Sequence, residues 1–126
     1  MHLVPTGDAA RRVIDEEHVC DAIRGINGAG GVPDAAERFG IVGDPTRLTI
    51  LLAIYHAGPI AVSDLAVAGN LQDTTVSQAL RILRAKGVVT AVRDGRVMRY
   101  QLADERIAEL LELVSPRGAS RHSLAN

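Results

Sequence analysis

The stretch that decides the fold runs from Leu71 to Gly87 and reads "LQDTTVSQALRILRAKG". Within it Val76, Leu80 and Leu83 recur at helical spacing, which predicts one buried stripe on an amphipathic helix. Asp73 is the expected N-cap, and Gly87 is expected to end the helix. The other faces carry small polar and basic side chains, which are Thr74, Thr75, Ser77, Gln78, Arg81 and Arg84. The stretch therefore predicts a helix that is packed on one side and open to a polar partner on the others.

The segment before this helix, Pro59 to Asn70, reads "PIAVSDLAVAGN". It predicts a short extended piece and then a short helix from about Ser63 to Ala68, while Gly69 and Asn70 predict a turn. Two short consecutive helices joined by such a turn form a helix-turn-helix. The second helix of that motif can enter the major groove of DNA, where hydroxyl groups and a Gln amide can contact base edges and phosphates.

The segment after the helix, Val88 to Leu102, reads "VVTAVRDGRVMRYQL". It predicts a β-hairpin, because Asp94 and Gly95 form a tight-turn dipeptide between two β-rich runs. Three arginines lie on or near its tip, namely Arg93, Arg96 and Arg99. A hairpin in this place would be a wing whose arginines contact the DNA backbone or the minor groove.

The charge of this region contrasts with that of the whole chain, whose formal net charge is −1. From Leu71 to Tyr100 there are six Arg and Lys residues and two Asp residues, a local net charge of +4. A local basic patch bears more on phosphate binding than the total charge does. By itself such a run of basic residues also fits an ordinary solvated face. The prediction of DNA binding therefore depends on the helix, the hairpin and the basic patch together.

The remaining segments predict the frame around these elements. Gly43 to Gly58, "GDPTRLTILLAIYHAG", predicts a core helix with Asp44 as its cap and Pro45 in its first turn. Its expected apolar face consists of Leu48, Leu51, Leu52 and Tyr55, widened by Ile50 and Ile54. Further helices are expected over 13–26, over 34–42 and after Asp104. We expect a flexible arm at 1–12, one domain at 13–114 and a polar tail at 115–126.

Composition bounds the protein class. The chain has 126 residues, of which 47% are hydrophobic and 2% aromatic, so we expect one domain with an aliphatic core. No apolar run reaches the length of a bilayer span and no signal pattern is present, so we expect a cytoplasmic protein without membrane contact. There is no nucleophile–base motif and no phosphate-binding glycine loop, so we do not expect an enzyme. The single cysteine, Cys20, cannot form an internal disulfide.

Four motifs in this order resemble the ArsR/SmtB family of dimeric winged-helix repressors, many of which sense metals. They are "GDPTRLTILLAI" at 43–54, "VSDLA" at 62–66, "TTVSQALRILRAKGVV" at 74–89 and "RDGRVMRYQLAD" at 93–104. The resemblance implies a mainly α fold with a small β-hairpin, a dimeric winged helix-turn-helix. One departure is Gln78-Ala79, where many relatives have His followed by Gln or His. Because Gln can still read adenine, this departure bears on sequence preference.

The resemblance also implies which residues bind double-stranded DNA. It places base or phosphate contacts at Thr74, Ser77 and Gln78, and wing contacts near Arg93 and Arg96. The full set that we predict to bind DNA is Thr74, Thr75, Ser77, Gln78, Arg81, Arg93, Arg96 and Arg99. The alternative is that the threonines and Ser77 are ordinary first-turn residues and the helix arginines a solvated face.

In this family the N-terminal and C-terminal helices form the dimer interface. The residues that we predict there are Ile23, Ile107, Leu110, Leu111 and Val114. The alternative is that the terminal helix packs only on its own domain. A two-fold homodimer would bind a near-palindromic operator with half-sites about one helical turn apart.

Two metal sites known in this family lack their ligands in this sequence. Arg106 occupies a histidine position on the terminal helix, and Ala61 and Ser63 stand where a cysteine pair would be. A third arrangement uses ligands from the N-terminal arm, where the stretch "DEEHVCD" at 15–21 offers His18 and Cys20.

The candidate metal site therefore consists of His18, Cys20 and Asp64, and its ion would be a transition metal such as zinc. Residues i and i+2 of a regular helix do not share a face, so "HVC" must be extended or kinked for both side chains to reach one ion. Otherwise His18 is a surface residue and Cys20 a small buried hydrophobe. A redox role for the thiol is a third possibility.

The predicted function is a homodimeric DNA-binding transcriptional repressor that a metal ion or another effector releases or modulates. The alternatives are an effector-independent or redox-responsive repressor and a winged-helix module that binds protein. Charge reversal at Arg96 and Arg99 would separate the last of these, because it should abolish DNA binding and spare a protein contact.

Overall fold

The structure, a computed structural model, describes residues 13–118. The chain divides into two compact units, Met1–Phe39 and Gly40–Asn126, and each is described by itself. The predicted arm at 1–12 and most of the predicted tail at 115–126 lie outside the described residues.

The described part of the first unit consists mainly of helix α1, Glu16–Asn27. The helix starts three residues later than expected, because the Asp15 carboxylate accepts a hydrogen bond from the His18 backbone N–H and caps it. The next helix, α2, runs over Val32–Val42 and contains the boundary between the units. It begins two residues earlier than expected, because a proline is compatible with the first turn, where its missing N–H has no intrahelical partner.

The first complete helix of the second unit is α3, Pro45–Ala57, as predicted. The Asp44 carboxylate accepts a hydrogen bond from the backbone N–H of Arg47 at 2.9 Å. The Arg47 guanidinium in turn donates to the carbonyl oxygens of Ile41 and Gly40, each at 3.1 Å. Arg47 thereby satisfies carbonyl groups at the end of α2 that have no partner within the helix. The "GDPTR" sequence thus joins two helices through hydrogen bonds.

The helix-turn-helix follows. The strand β1 is Ile60–Ala61, α4 is Val62–Gly69 and α5 is Asp73–Ala85. Asn70 ends α4 in the left-handed conformation (φ 53°), which Asn tolerates better than most residues. The prediction that Asp73 caps α5 was wrong: Gln72 is the cap, without a side-chain hydrogen bond, and Asp73 is the first helical residue. An acid in the first turn still interacts favourably with the helix dipole.

The predicted hairpin consists of β2, Val89–Asp94, and β3, Val97–Leu102. Asp94 pairs with Val97, so the loop between the strands is Gly95 and Arg96 rather than the expected Asp-Gly dipeptide. Gly95 has φ +63°, as the first central residue of a two-residue hairpin loop requires. β1 pairs with β3 and completes an antiparallel sheet in the order β1-β3-β2. Helix α6, Glu105–Val114, follows with Asp104 as its cap, as predicted.

The core of the second unit is aliphatic, as composition predicts. The expected stripe of α5 is confirmed, since Val76, Leu80 and Leu83 are at most 1% exposed. The burial of α3 centres on Ile50, Leu51 and Ile54. Leu48, Leu52 and Tyr55, which we expected at the centre of that face, are partly buried at its edge. No helix within 13–118 is long and apolar enough to cross a membrane.

Candidate nucleic-acid interface

Helix α5 has two sharply different sides. Thr74, Ser77, Gln78 and Arg81 follow the spacing i, i+3, i+4, i+7, so they share one face of the helix. All four are exposed, and they lie away from the buried stripe. Thr75, also in the predicted set, is half-buried at the side of this face. We call these four exposed residues the reading face of α5.

Contacts with the preceding helix fix the reading face in place. α4 packs against α5 and buries Leu65 and Ala66. The backbone N–H of Leu71 donates to the carbonyl of Ala66 at 2.9 Å and closes the turn between the helices. This hydrogen bond and the packing of the two helices hold the start of α5 against α4.

The register of the hairpin separates its arginines. Arg93 pairs with Met98, on the same sheet face as Tyr100, which packs against the core. Arg99 pairs with Val92 on the opposite, outer face, because side chains alternate along a strand. Arg96 lies in the loop at the tip. The three arginines predicted to contact DNA therefore project in different directions.

Arg99 also differs from the other two arginines in its contacts. Its Nε donates to Oδ2 of Asp94 at 3.1 Å, and both residues lie on the outer face. Within residues 13–118, Arg93 and Arg96 have no such partner. A carboxylate next to Arg99 weakens its attraction to an anion, so Arg93 and Arg96 are the stronger candidates for a phosphate contact.

A groove between α5 and β3 was not anticipated from the sequence. It has a volume of about 580 Å³ and is lined by Ser77, Leu80, Arg81, Arg84, Ala85 and Tyr100. Of its four polar residues, Arg84 and Tyr100 were not in the predicted DNA-binding set. The helical spacing of Ser77, Arg81 and Arg84 was visible in the sequence, but the approach of Tyr100 depends on how the sheet packs.

Two of the three predicted metal ligands, His18 and Cys20, lie in the first unit, and they do not face one common point. His18 is exposed, and its Nδ1 lies 3.2 Å from Oδ2 of Asp15. Cys20 is buried, and "HVC" is a regular part of α1, so His18 and Cys20 project from different sides of the helix. Asp64 is exposed in the first turn of α4. Across residues 13–118, no three His, Cys, Asp or Glu side chains are grouped to hold a metal ion.

The residues predicted at the dimer interface divide into two groups. Ile107 and Leu111 are fully buried in the core of the second unit, so within one chain they already have packing partners. Leu110 is half-buried, whereas Val114 is 61% exposed. Leu113, which was not predicted, is 82% exposed. Ile23 of α1 is half-buried.

A polar cluster joins the ends of α3 and α6, and we call Tyr55, His56, Glu112, Ser115 and Arg117 the C-terminal cluster. The Tyr55 hydroxyl donates to the Glu112 carboxylate, which also accepts from the backbone N–H of Arg117 at 3.2 Å. The Arg117 guanidinium lies 4.4 Å from the centre of the Tyr55 ring. His56 Nε2 lies 2.9 Å from the carbonyl oxygen of Ser115.

The hydrogen bond between Tyr55 and Glu112 shifts both pKa values. Because the hydroxyl donates to the carboxylate, it raises the pKa of Tyr55 and lowers the pKa of Glu112. The backbone N–H of Arg117 lowers the pKa of Glu112 further. Ser115 and Arg117, which belong to the predicted tail, are held against α3 by their contacts with His56 and Tyr55.

Sequence comparisons cover the region that carries these features. The MarR family model matches residues 44–99. The HTH-type transcriptional regulator NmtR from Mycobacterium tuberculosis is 43% identical over 68 residues, which cover 54% of this chain and 56% of NmtR. The uncharacterized HTH-type transcriptional regulator MJ1325 from Methanocaldococcus jannaschii is 36% identical over 80 residues, which cover 64% of this chain and 90% of MJ1325. The chain thus spans little more than half of NmtR but almost all of MJ1325.

Two solved structures are similar in both sequence and fold. One is the homodimeric winged helix-turn-helix DNA-binding domain of Mb0332 from Mycobacterium bovis, a possible ArsR-family transcriptional regulator. It is 31% identical with a TM-score of 0.56, covering 80% of this chain and 91% of that one. The other is the cadmium metal-sensor CMTR from Mycobacterium tuberculosis, 38% identical with a TM-score of 0.53, covering 63% of this chain and 82% of that one.

Proposed function

This chain belongs to the ArsR/SmtB family of winged helix-turn-helix transcriptional regulators, and we propose that it is a cytoplasmic, homodimeric repressor that binds operator DNA. The observation that carries the proposal is the reading face of α5. It is exposed and polar, lies opposite a stripe that is fully buried, and stands next to a wing that offers Arg93 and Arg96. Small hydroxyls, an amide and a guanidinium are the groups that contact base edges and phosphates in the major groove.

The roles within the interface follow from side-chain chemistry. Gln78 can form two hydrogen bonds with an adenine, and Thr74 and Ser77 can bind either a base or a phosphate. Arg93 and Arg96 neutralise backbone phosphates, which contributes affinity for any sequence. Base contacts made by α5 therefore select the operator, and the wing strengthens binding wherever the protein sits.

The proposed dimer brings two reading faces to one DNA duplex. Val114 and Leu113 leave an apolar surface at the end of α6, and a second copy of the chain would cover it. The homodimeric state of the Mb0332 domain supports this arrangement. A two-fold dimer reads a near-palindromic site, with half-sites about one helical turn apart.

Binding to the chain's own promoter region tests the proposal. We expect a labelled duplex from that region to bind at low salt and to dissociate as salt rises, because phosphate contacts release counterions. Arg96→Glu should abolish this binding while the protein stays folded and dimeric. A chain that binds no duplex at low salt, or that binds one with no salt dependence, would contradict the proposal. A partner protein retained by the Arg96→Glu variant would favour the protein-binding alternative.

Metal control is a separate part of the proposal. The similarity to the cadmium metal-sensor CMTR supports it, but His18 and Cys20, as they stand on α1, do not fit one ion. No step of the proposed DNA binding depends on a metal. Elemental analysis of the purified protein beside His18→Ala and Cys20→Ser variants tests the candidate ligands. Equal metal content in all three proteins would exclude the site at His18, Cys20 and Asp64.

A further inference from the structure

The groove between α5 and β3 forms a second polar surface beside the reading face. Its residues on α5 are Ser77, Leu80, Arg81, Arg84 and Ala85, and Tyr100 closes it from the sheet. The helical residues follow the spacing i, i+3, i+4, i+7, i+8, so they form one continuous stripe. Ser77 and Arg81 also belong to the reading face, and the groove is therefore continuous with it.

The charge of the groove is positive and uncompensated. None of the residues that line it is acidic. Arg81 and Arg84 are exposed, and within residues 13–118 no hydrogen bond or ion pair involves either guanidinium. They stand three residues apart, roughly 4.5 Å along the helix axis, a spacing at which like charges repel. Such a pair is unfavourable alone and becomes favourable when an anion lies between the two groups.

The other lining residues suit a phosphate as that anion. Ser77 and Tyr100 contribute hydroxyl groups that can donate hydrogen bonds. Leu80 is buried beneath the groove and Ala85 is a small exposed residue, so neither places a competing charge beside the arginines. Tyr100 pairs with Ala91 in the sheet and packs against the core, so the strand and the core hold it in position.

We propose that this groove binds a phosphate of the DNA backbone, with Arg84 and Tyr100 as its distinguishing contacts. The proposal rests on the proposed function, because it assumes that the first turns of α5 contact a DNA strand. The phosphate in the groove would belong to the backbone of that same DNA strand, on the side of the wing. The contact is independent of sequence, since phosphates are the same in every duplex. It therefore adds equally to operator binding and to non-specific binding.

Salt-dependent binding to two duplexes, one from the promoter region and one of random sequence, tests the groove. Arg84→Gln should weaken binding to both by roughly threefold to tenfold and reduce the slope of log affinity against log salt by about 1. Tyr100→Phe should weaken both by roughly twofold to fivefold with an unchanged slope, because the lost hydroxyl is neutral. The matched control is Arg106→Gln, which removes the same charge from an exposed position on α6 and should leave the slope unchanged.

The outcomes separate this proposal from the proposed function. If Arg84→Gln behaves like Arg106→Gln while Gln78→Ala still weakens operator binding, the groove does not hold a phosphate and the repressor proposal stands. If the wild-type chain binds neither duplex, the repressor proposal itself fails.

A free phosphate anion would offer the groove the same chemistry, and inorganic phosphate distinguishes the two sources. Amide signals of Ser77 and Tyr100 that saturate at millimolar phosphate, with Arg84→Gln leaving DNA affinity intact, would overturn the assignment to DNA. Shifts that do not saturate, together with the loss of affinity described above, support it.

Discussion

Helices α5 and α6 bury side chains of the same kind but expose side chains of different chemistry. Each places a stripe of aliphatic residues in the core, Val76, Leu80 and Leu83 on α5 and Ile107 and Leu111 on α6, all at most 1% exposed. Outside the core, α5 offers hydroxyls, an amide and arginines, whereas the end of α6 offers Leu113 and Val114. The inner faces establish the fold. In the proposed function the outer faces differ because that of α5 would contact DNA and that of α6 a second copy of the chain.

The inner faces should respond alike to truncation. Leu83→Ala and Leu111→Ala each leave a cavity at a site that is 0% exposed, and each should lower the free energy of unfolding by about 2–5 kcal/mol. Urea denaturation followed by circular dichroism measures both. A loss below about 1 kcal/mol at either site would show that this helix is not anchored in the core as the structure describes.

The outer face of α6 should control assembly without affecting the fold. Leu113→Asp places a charge on the exposed apolar surface and should raise the dimer dissociation constant at least tenfold, about 1.4 kcal/mol. Analytical ultracentrifugation gives the constant, and circular dichroism checks the fold. Glu109→Gln, on a polar part of the same helix, serves as the control. An unchanged dimer would place the interface elsewhere on the chain.

The outer face of α5 should control sequence choice. Gln78→Ala removes a two-point contact with a base and should cost about 1–3 kcal/mol on operator DNA, with little change on random DNA. Competition binding with the two duplexes measures the ratio. Gln72→Ala makes the same chemical change just before the helix, where the side chain forms no cap bond, and should have a smaller effect. Equal losses on both duplexes would mean that Gln78 binds the backbone.

The C-terminal cluster should produce the smallest effect, a pH dependence. The folded-state pKa of Glu112 is lowered, so its contribution to stability is present above the ordinary carboxyl pKa and is lost as pH falls through the folded value. The Tyr55 hydroxyl can donate this hydrogen bond only while it is protonated. Because the pKa of Tyr55 is raised, the hydrogen bond persists until pH rises above the ordinary tyrosine range. Thermal unfolding of wild type and Glu112→Gln should therefore differ slightly at neutral pH and converge in acid. A constant difference across that range would exclude this hydrogen bond as the cause.

Much of the fold could be predicted because local chemistry decides it. The caps Asp44 and Asp104, the turn at Asn70 and the stripe of α5 each follow from a few neighbouring residues. Errors arose where several neighbours offered similar solutions, as with Gln72 and Asp73 at the start of α5. The helices that start at the two alternative cap residues differ little in free energy, and tertiary packing selects between them.

The candidate site was less predictable because it depends on register and packing. The sequence placed Arg93, Arg96 and Arg99 together at the hairpin tip, but only the strand pairing separates Arg99 onto the outer face beside Asp94. Tyr100 reaches the groove through contacts that join residues distant in the chain. Whether "HVC" is helical or extended likewise could not be decided from spacing alone.

The two-residue loop of the hairpin has a consequence for how tightly the wing could bind DNA. Arg96 stands between two paired strands rather than on a long loop, so its backbone is ordered before any DNA arrives. The conformational entropy of the tip is lost when the protein folds and is not lost a second time when DNA binds. The tip is in this sense preorganised. Lengthening the loop with glycines would keep every charge and lose this advantage. In the proposed complex with DNA, the wing would therefore contribute through the rigidity of its loop as well as through its arginines.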